Sequence, residues 1–147
     1  MIRFNPLTWQ DIRPRVIEVG PEHYRDVMHD DDYDIDLERY DQLAASGILH
    51  VTGALNAGRV VGYVAVHVLP HLHARRTLWG MYDAFWLDRM MRGPRVSLRL
   101  LQASEDHMRQ RGVDKLWVSC PIGNEADRIF EHLGWRMTER TFTKDLR

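Results

Sequence analysis

Three apolar runs near the middle of the chain constrain the fold more than any other part of the sequence. The runs cover residues 48–55, 59–68 and 77–87. They are rich in β-branched and aromatic residues, which favour strands. Asn56-Ala57-Gly58 separates the first two runs and predicts a tight hairpin, because Asn and Gly adopt the unusual backbone angles of such turns. Pro70 is expected to end the second strand, and residues 71–76 to form a basic connection to the third.

Proline and glycine residues divide the N-terminal part of the chain in this interpretation. Residues 2–5 are expected to start a strand that Pro6 ends. Thr8 is predicted to cap a first helix. Pro14 and Gly20-Pro21 are expected to break up the stretch that follows, because proline removes a helical hydrogen bond.

A second helix is predicted over residues 37–45, where Leu37, Tyr40 and Leu43 share one apolar face. Gly47 suits its C-terminal cap. The acidic stretch before it, residues 29–36, is interpreted either as a loop or as the start of this helix.

The C-terminal part predicts alternating helices and strands. Pro94 suits the first turn of a long helix that ends near Gln110. The elements after it are a short strand, a helix and a final strand over residues 115–120, 124–133 and 135–144. Asn124 is the predicted N-cap of the second of these elements and Gly134 its C-terminal cap. This order predicts a single α/β or α+β domain over residues 1–147 with a mixed central sheet.

The composition is that of a globular chain whose two parts carry opposite charge. The 147 residues have a net charge of -1, with 44% hydrophobic and 28% charged residues, which excludes collagen-like, disordered and disulfide-scaffold classes. Residues 1–50 carry 5 basic and 11 acidic residues, whereas residues 51–147 carry 15 and 10. Arginine makes up 18 of the 20 basic residues, which suits phosphate or carboxylate contacts or reflects a GC-rich genome.

The sequence also favours a cytoplasmic location. No apolar run approaches the ~18 residues of a membrane span, and the first six residues lack the apolar core of a secretion signal. Cys120 is the single cysteine, so neither an intramolecular disulfide nor a cysteine zinc site is available. We therefore expect no membrane partner and no metal.

The clearest chemical signal lies between the third strand and the long helix, in residues 87–97. A strand that enters a helix through a glycine-containing turn presents backbone N–H groups, and the helix dipole adds positive potential there. Arg92, Arg95 and Arg99 lie close by in the sequence. The pattern predicts a phosphate or pyrophosphate site, and the alternative is one of the many similar turns that bind nothing.

Five motifs follow one another over residues 48–147. They are Gly58-Arg59-Val60-Val61-Gly62-Tyr63, Leu87-Asp88, Arg92-Gly93 with Leu100-Leu101, Leu133-Gly134-Trp135 and Lys144-Asp145-Leu146. In this order they resemble the GNAT superfamily, the Gcn5-related N-acetyltransferases. The resemblance implies a mostly antiparallel sheet flanked by about four helices. It also implies an N-acyltransferase, in which a primary amine directly attacks the thioester of acetyl-CoA or another acyl-CoA.

The resemblance implies that the Arg-Gly turn binds the pyrophosphate of acetyl-CoA and that the pantetheine arm follows the third strand. The implied cofactor contacts are Phe85, Trp86, Leu87, Arg92, Gly93, Arg95, Val96, Ser97, Leu98, Asn124 and Phe130. Arg95 and Ser97 occupy positions where the family has glycine or alanine, so Arg95 must point away from a bound phosphate or pair with it. Phe130 replaces the tyrosine that many members use as general acid, and Tyr82 is a candidate substitute.

Asp83 is the predicted catalytic residue because it is the one carboxylate in an otherwise apolar strand. A desolvated Asp has a raised pKa, which suits a general base. The alternatives are an ion pair with Arg75 or Arg76, or exposure at a sheet bulge.

The amine acceptor, a small molecule or a protein, is expected between the N-terminal helices and a histidine-containing loop. Its predicted contacts are Tyr33, His71, His73 and Tyr82. The acidic residues 30–34 form a solvated turn or recognise a cationic acceptor such as a polyamine or lysine. The histidines are interpreted as solvated loop residues, as acceptor contacts or as a metal site, which would lack a completing carboxylate or cysteine.

Two other functions remain open at this point. The altered turn and Phe130 fit a GNAT-fold binding or assembly protein that transfers no acyl group. Residues 70–75, Asp83 and the Arg-Gly turn also resemble short GNAT-like proteins of tailed bacteriophages, which would act in the host cytoplasm. That resemblance implies a nucleobase-modifying enzyme as a third candidate, although nucleic acid is not the favoured partner. A homodimer is left open.

Overall fold

Strand pairing organises the residues that the computed structural model describes, which are 1–27, 32–123 and 125–147. The elements are β1 (Ile2–Leu7), α1 (Trp9–Val27), α2 (Leu37–Ala45), β2 (Leu49–Asn56), β3 (Arg59–His71), β4 (Ala74–Leu87), α3 (Pro94–Gln110), β5 (Lys115–Trp117) and α4 (Ala126–His132). The sheet order is β1-β2-β3-β4-β5. All neighbours are antiparallel except β4 and β5, which are parallel. The predicted mixed, mostly antiparallel sheet with four helices is therefore confirmed for the described ranges.

The helices cover the two faces of the sheet. Trp9, Ile12 and Val16 of α1 pack with β2, β3 and β4 on one face, and α2 joins that cluster. Leu100 and Leu101 of α3 pack on the other face, together with α4. Both faces of β3 are consequently buried, as its continuous apolar sequence predicts. No helix of the described ranges is long and apolar enough to cross a membrane.

Proline positions are where the predicted element boundaries are wrong. Pro6 lies inside β1, opposite Thr52. The strand tolerates a proline, which has no backbone N–H, because β1 is an edge strand and has no second neighbouring strand that would need this hydrogen-bond donor. Pro70 lies inside β3, at the point where the β3–β4 register shifts and the regular ladder ends. The connection predicted over residues 71–76 is therefore only two residues long, 72 and 73.

Helix α1 runs without a break through Pro14 and Pro21, contrary to the expected interruption. An interior proline costs about 3 kcal/mol. Here the buried stripe along α1, which includes Ile12, Val16 and Val19, outweighs that cost. The predicted cap at Thr8 is confirmed, because its Oγ1 accepts a hydrogen bond of 3.2 Å from the amide of Asp11.

The C-terminal segment departs most from the expectation. Strand β5 has three residues rather than six, and residues 135–147 have no regular secondary structure. The predicted final strand over residues 135–144 is wrong, since Met137 and Phe142 remain exposed and supply no face that the sheet could bury. Helix α4 begins at Ala126, and Asn124, its predicted N-cap, lies outside the described residues.

The acidic stretch is described only from residue 32 onward, and residues 32–36 form an irregular segment rather than the start of a helix. Asp36 caps α2 by accepting a hydrogen bond of 2.8 Å from the amide of Arg39. Asp30 and Asp31 lie outside the described residues.

Candidate active site

A cavity of about 510 Å³ opens where β4 separates from the chain that follows β5. The two strands pair only from Trp79–Met81 to Lys115–Trp117. Beyond that point, residues 82–85 form one wall of the cavity and residues 118–121 form the opposite wall. Because the strands part instead of pairing, the cavity reaches both faces of the sheet.

The two ends of this cavity differ in chemistry. On the α4 face the lining is largely apolar and includes Val118, Pro121 and Phe130. On the face of α1 and α2 it is aromatic and acidic. Four carboxylates line the cavity, those of Asp32, Asp34, Asp36 and Asp83, and the described lining contains neither arginine nor lysine. Negative charge is therefore concentrated at the α1/α2 end.

Asp83 lies at a β-bulge. Ala65 pairs with Ala84 and Val66 pairs with Tyr82, so Asp83 is the extra residue of β4 with no partner in β3. Bulges re-aim side chains and are common next to active sites. Asp83 is exposed, and the expectation of a desolvated carboxylate is wrong because the bulge turns this residue out of the buried alternation. The structure matches the alternative of exposure at a bulge.

The hydrogen-bond partner of Asp83 is Tyr40 rather than Arg75 or Arg76. The Tyr40 hydroxyl of α2 donates to Asp83 Oδ2 at 2.5 Å. Burial, together with the negative charge of Asp83, raises the pKa of the Tyr40 phenol well above its usual range. Tyr40 therefore stays protonated and remains a donor.

Sequence reasoning identified Tyr40 only as a member of the apolar face of α2. The one available signal was its hydroxyl, which needs a partner when a tyrosine is buried. That partner is 43 residues away along the chain, so no local pattern indicates it.

The turn before α3 has the features of an anion site. Gly93 precedes the helix in an extended conformation, and no side chain caps the helix N-terminus. The amides of Val96 and Ser97 bond to the Gly93 carbonyl. Within the described ranges, the amides of Gly93 and Arg95 have no intramolecular partner. A Cβ at Gly93 would have no atom within 4 Å, so the space in front of the turn is open.

The arginines near this turn point in different directions. Arg92 Nε donates to the Leu87 carbonyl at 3.0 Å, and its guanidinium lies 3.4 Å from Asp26 of α1. Arg89 pairs with Glu22 at 2.7 Å. Arg95 is exposed and forms no ion pair with any described residue. The structure therefore leaves Arg95, rather than Arg92, unpaired beside the open turn.

The other predicted cofactor contacts are divided between the cavity and the core. Phe85 and Phe130 line the cavity. The side chains of Trp86 and Leu87 are buried in the core, so only their backbone is available to a ligand. Of the first turns of α3, Ser97 is buried, whereas Val96 and Leu98 are partly exposed. Asn124 is not among the described residues.

The predicted acceptor contacts are also divided. Tyr33 and Tyr82 line the cavity, but the Tyr82 hydroxyl donates to Ser104 Oγ at 3.2 Å inside the core. Burial raises the pKa of Tyr82 above its usual range. His71 and His73 lie at the tip of the β3–β4 hairpin, outside the cavity lining, and His71 stacks on Trp79. No group of three His, Cys, Asp or Glu residues in the described ranges could hold a metal ion.

Comparison with known proteins shows to which family the chain belongs. The model of the acetyltransferase (GNAT) family matches residues 9–135. The chain belongs to the GNAT family. The match includes α1 and α2 as well as the region from residue 48 that carries the sequence motifs.

Individual relatives agree with this family. The chain is 30% identical over 99 residues to the aminoalkylphosphonate N-acetyltransferase of Salmonella typhimurium. This match covers 67% of the chain and 64% of that GNAT relative. Two solved structures share the fold at lower identity. An aminoglycoside acetyltransferase from an uncultured soil metagenomic sample, in complex with sisomicin, has a TM-score of 0.76, 14% identity and coverage of 99% and 97%. An acetyltransferase from Clostridium acetobutylicum with acetyl-CoA has a TM-score of 0.77, 15% identity and the same coverage.

Proposed function

We propose that this protein transfers an acetyl group from acetyl-CoA to the primary amine of a cationic acceptor. The observation that carries the proposal is the position of Asp83, which the bulge exposes in a cavity that passes between two separated strands. Family membership supplies the reaction class. The residue roles below are our inference from the geometry.

The cofactor end is assigned to the turn before α3. The free amides of Gly93 and Arg95 would bind the pyrophosphate, and the Arg95 guanidinium would add a full charge there. Pro94 contributes no N–H. The backbone of residues 85–87 would guide the pantetheine arm toward the cavity. Acetyl-CoA supplies an activated thioester, and the largely apolar wall near Phe130 suits its acyl end.

Asp83 is assigned the role of proton acceptor. An amine nitrogen becomes strongly acidic as it bonds to the thioester carbon, so a carboxylate can take its proton at that stage. The aromatic and acidic end of the cavity would hold the nitrogen next to Asp83. Phe130 has no proton to donate and the Tyr82 hydroxyl is bonded to Ser104, so the sulfur leaves without help from either residue.

Charge in the cavity favours an acceptor with more than one positive group. Asp32, Asp34 and Asp36 line the end where the acceptor would enter, without a described arginine or lysine. The Salmonella relative is named for an aminoalkylphosphonate, whose phosphonate would need positive side chains. A polyamine, an aminoglycoside or a lysine side chain suits this cavity better.

The test is acetyl-CoA-dependent thiol release across a panel of amines. Spermidine, an aminoglycoside, a lysine peptide and 2-aminoethylphosphonate sample the acceptor classes, and mass spectrometry identifies the acetylated product. We expect turnover with at least one cationic amine. Asp83→Asn should lower kcat/KM by about 10²-fold or more. Asp106→Asn, on the exposed side of α3, is the matched control. Failure to bind acetyl-CoA at millimolar concentration in calorimetry would overturn the proposal.

A second candidate is an acyl-CoA-binding protein that transfers nothing, favoured by Phe130 and by the commitment of the Tyr82 hydroxyl to Ser104. It predicts acetyl-CoA binding without thiol release for any amine. A bacteriophage origin, a cytoplasmic location, a homodimer and the single domain over residues 1–147 stay predictions from the sequence.

A further inference from the structure

We propose that Tyr40 is a positioning residue that holds the Asp83 carboxylate at the cavity wall. This inference rests on the proposed role of Asp83 as proton acceptor. The hydrogen bond of 2.5 Å joins α2 to the bulge of β4. Within the described ranges, Asp83 has no other hydrogen bond and no ion pair, so Oδ2 is fixed and Oδ1 is left for the acceptor.

Tyr40 is itself held in place independently of Asp83. Its ring stacks on Trp9 of α1, with 4.8 Å between the ring centroids and 18° between the planes. The Trp9 indole N–H in turn donates to Asp41 Oδ1 at 2.6 Å. Asp41 follows Tyr40 in α2, so two helices clamp the aromatic ring. The hydroxyl therefore meets the exposed carboxylate from a fixed position.

This contact matters for the proton balance of the transfer. As the nitrogen–carbon bond forms and the carbon–sulfur bond breaks, one proton passes from the nitrogen to Asp83. The sulfur leaves as a thiolate that takes a proton from solvent. A hydrogen bond donated to a carboxylate stabilises its charged form. Tyr40 thus stabilises and orients the carboxylate that accepts the proton.

Other titratable groups face the same cavity and could also influence the Asp83 carboxylate. They are His23 and Tyr24 of α1, Asp32, Tyr33, Asp34 and Asp36 of the acidic segment, Tyr63 of β3, Tyr82 of β4 and Cys120. All of them are unchanged when only position 40 is altered. A shift seen on changing Tyr40 is therefore specific to its hydroxyl.

The experiment compares the wild type with Tyr40→Phe, which keeps the ring that stacks on Trp9 and removes only the hydroxyl. We expect kcat to fall about tenfold, as for the loss of a hydrogen bond to a charged group, with the KM for acetyl-CoA unchanged. The carbon-13 NMR signal of the Asp83 carboxyl at neutral pH should shift from its wild-type position, because the carboxylate loses the hydrogen bond from Tyr40.

Two further variants separate this inference from the proposed function. Tyr40→Phe should have no additional effect in an Asp83→Asn background. Trp9→Phe, which loosens the clamp but keeps the hydroxyl, should move the Asp83 carbon-13 signal in the same direction by less. Thermal melts establish that each variant is folded.

The outcomes are distinguishable. A wild-type kcat and an unchanged Asp83 carbon-13 signal in Tyr40→Phe would overturn the role of Tyr40 while acetyl transfer stands. A full tenfold loss added to Asp83→Asn would also overturn it, because Tyr40 would then act elsewhere. If the wild type transfers no acetyl group, the proposed function fails, and the carbon-13 signal of Asp83 still decides whether Tyr40 holds the carboxylate.

Discussion

The hydroxyl of Tyr33 lies so close to the α-carbon of Gly20 that a Cβ at position 20 would overlap its oxygen. This hydroxyl is buried without a hydrogen-bond partner among the described residues. The glycine of α1 therefore determines where the acidic segment sits over the cavity. We expect Gly20→Ala to displace Tyr33 and to raise the KM for the acceptor several-fold, with acetyl-CoA affinity unchanged.

The same substitution has a distinct signature in stability. Gly to Ala inside a helix ordinarily stabilises by about 1 kcal/mol. The displacement of Tyr33 should cancel that gain, which denaturant titration measures. A more stable variant with an unchanged acceptor KM would show that Tyr33 does not define the acceptor site.

A substitution at Gly93 should weaken cofactor binding without changing the stability of the protein. Its backbone is extended, a conformation open to any residue, and a Cβ there would meet nothing within 4 Å. We expect Gly93→Ala to leave the melting temperature within a degree or two, since it touches no other part of the protein. The same Cβ would enter the space where a pyrophosphate approaches the backbone, so acetyl-CoA affinity should fall about tenfold or more in calorimetry. Unchanged affinity would place the pyrophosphate elsewhere.

The acidic segment should set affinity for charged acceptors. Asp32→Asn and Asp34→Asn are each expected to raise the KM for a polycationic amine about threefold, the size of one exposed charge pair. The effect should shrink as salt is added, and a monoamine should respond less. Asp36 is unsuited to this test because it also caps α2. Equal effects on a monoamine and on spermidine would argue against charge recognition.

Cys120 offers a direct probe of cavity occupancy because it is the single cysteine of the chain and lies on the cavity wall. Burial raises the pKa of its thiol, so alkylation should be slow. Saturating acetyl-CoA should slow the alkylation further, and mass spectrometry of the intact protein follows the rate. Cys120→Ser controls for modification at other residues. An alkylation rate unaffected by bound acetyl-CoA would mean that the acyl end does not reach this cavity.

Two histidines on the opposite side of the sheet should make the fold sensitive to acid. Burial lowers the pKa values of His50 and His107. His107 Nδ1 lies 2.9 Å from Thr52 Oγ1. The two imidazoles therefore bind protons more readily in the unfolded chain than in the folded protein. The free energy of unfolding should be highest above pH ~6.5 and should fall as the pH drops below that value.

His107→Gln should flatten this pH dependence, and His132→Gln, at an exposed histidine of α4, is the matched control. Denaturant titrations between pH 5 and 8 measure the slope. An equal slope for the wild type and His107→Gln would assign the acid sensitivity to other groups.

Local patterns were sufficient to predict part of this molecule. The β2–β3 hairpin follows from Asn56-Ala57-Gly58, and Ala57 and Gly58 adopt positive φ angles of 49° and 81°. Helix α3 follows from Pro94 and its apolar stripe. These features depend on residues close together in sequence, so the sequence determines them without knowledge of the packing.

Features set by distant partners could not be predicted in the same way. Pro14 and Pro21 remain helical because α1 packs on the sheet, and a burial energy of that kind has no local signature. The bulge at Asp83 depends on how β4 aligns with β3. The strand predicted over residues 135–144 is wrong for the converse reason, since its loose alternation is present but no described neighbour pairs with it.

The bulge also has a consequence for how this family member can change. Asp83 pairs with nothing in the neighbouring strand and packs in neither core layer, so folding constrains it mainly through its hydrogen bond with Tyr40. Position 83 can therefore exchange its chemical group while the sheet around it stays intact. Selection can act on reactivity at this position largely independently of selection for stability, which makes it the natural place for new acceptor chemistry to evolve.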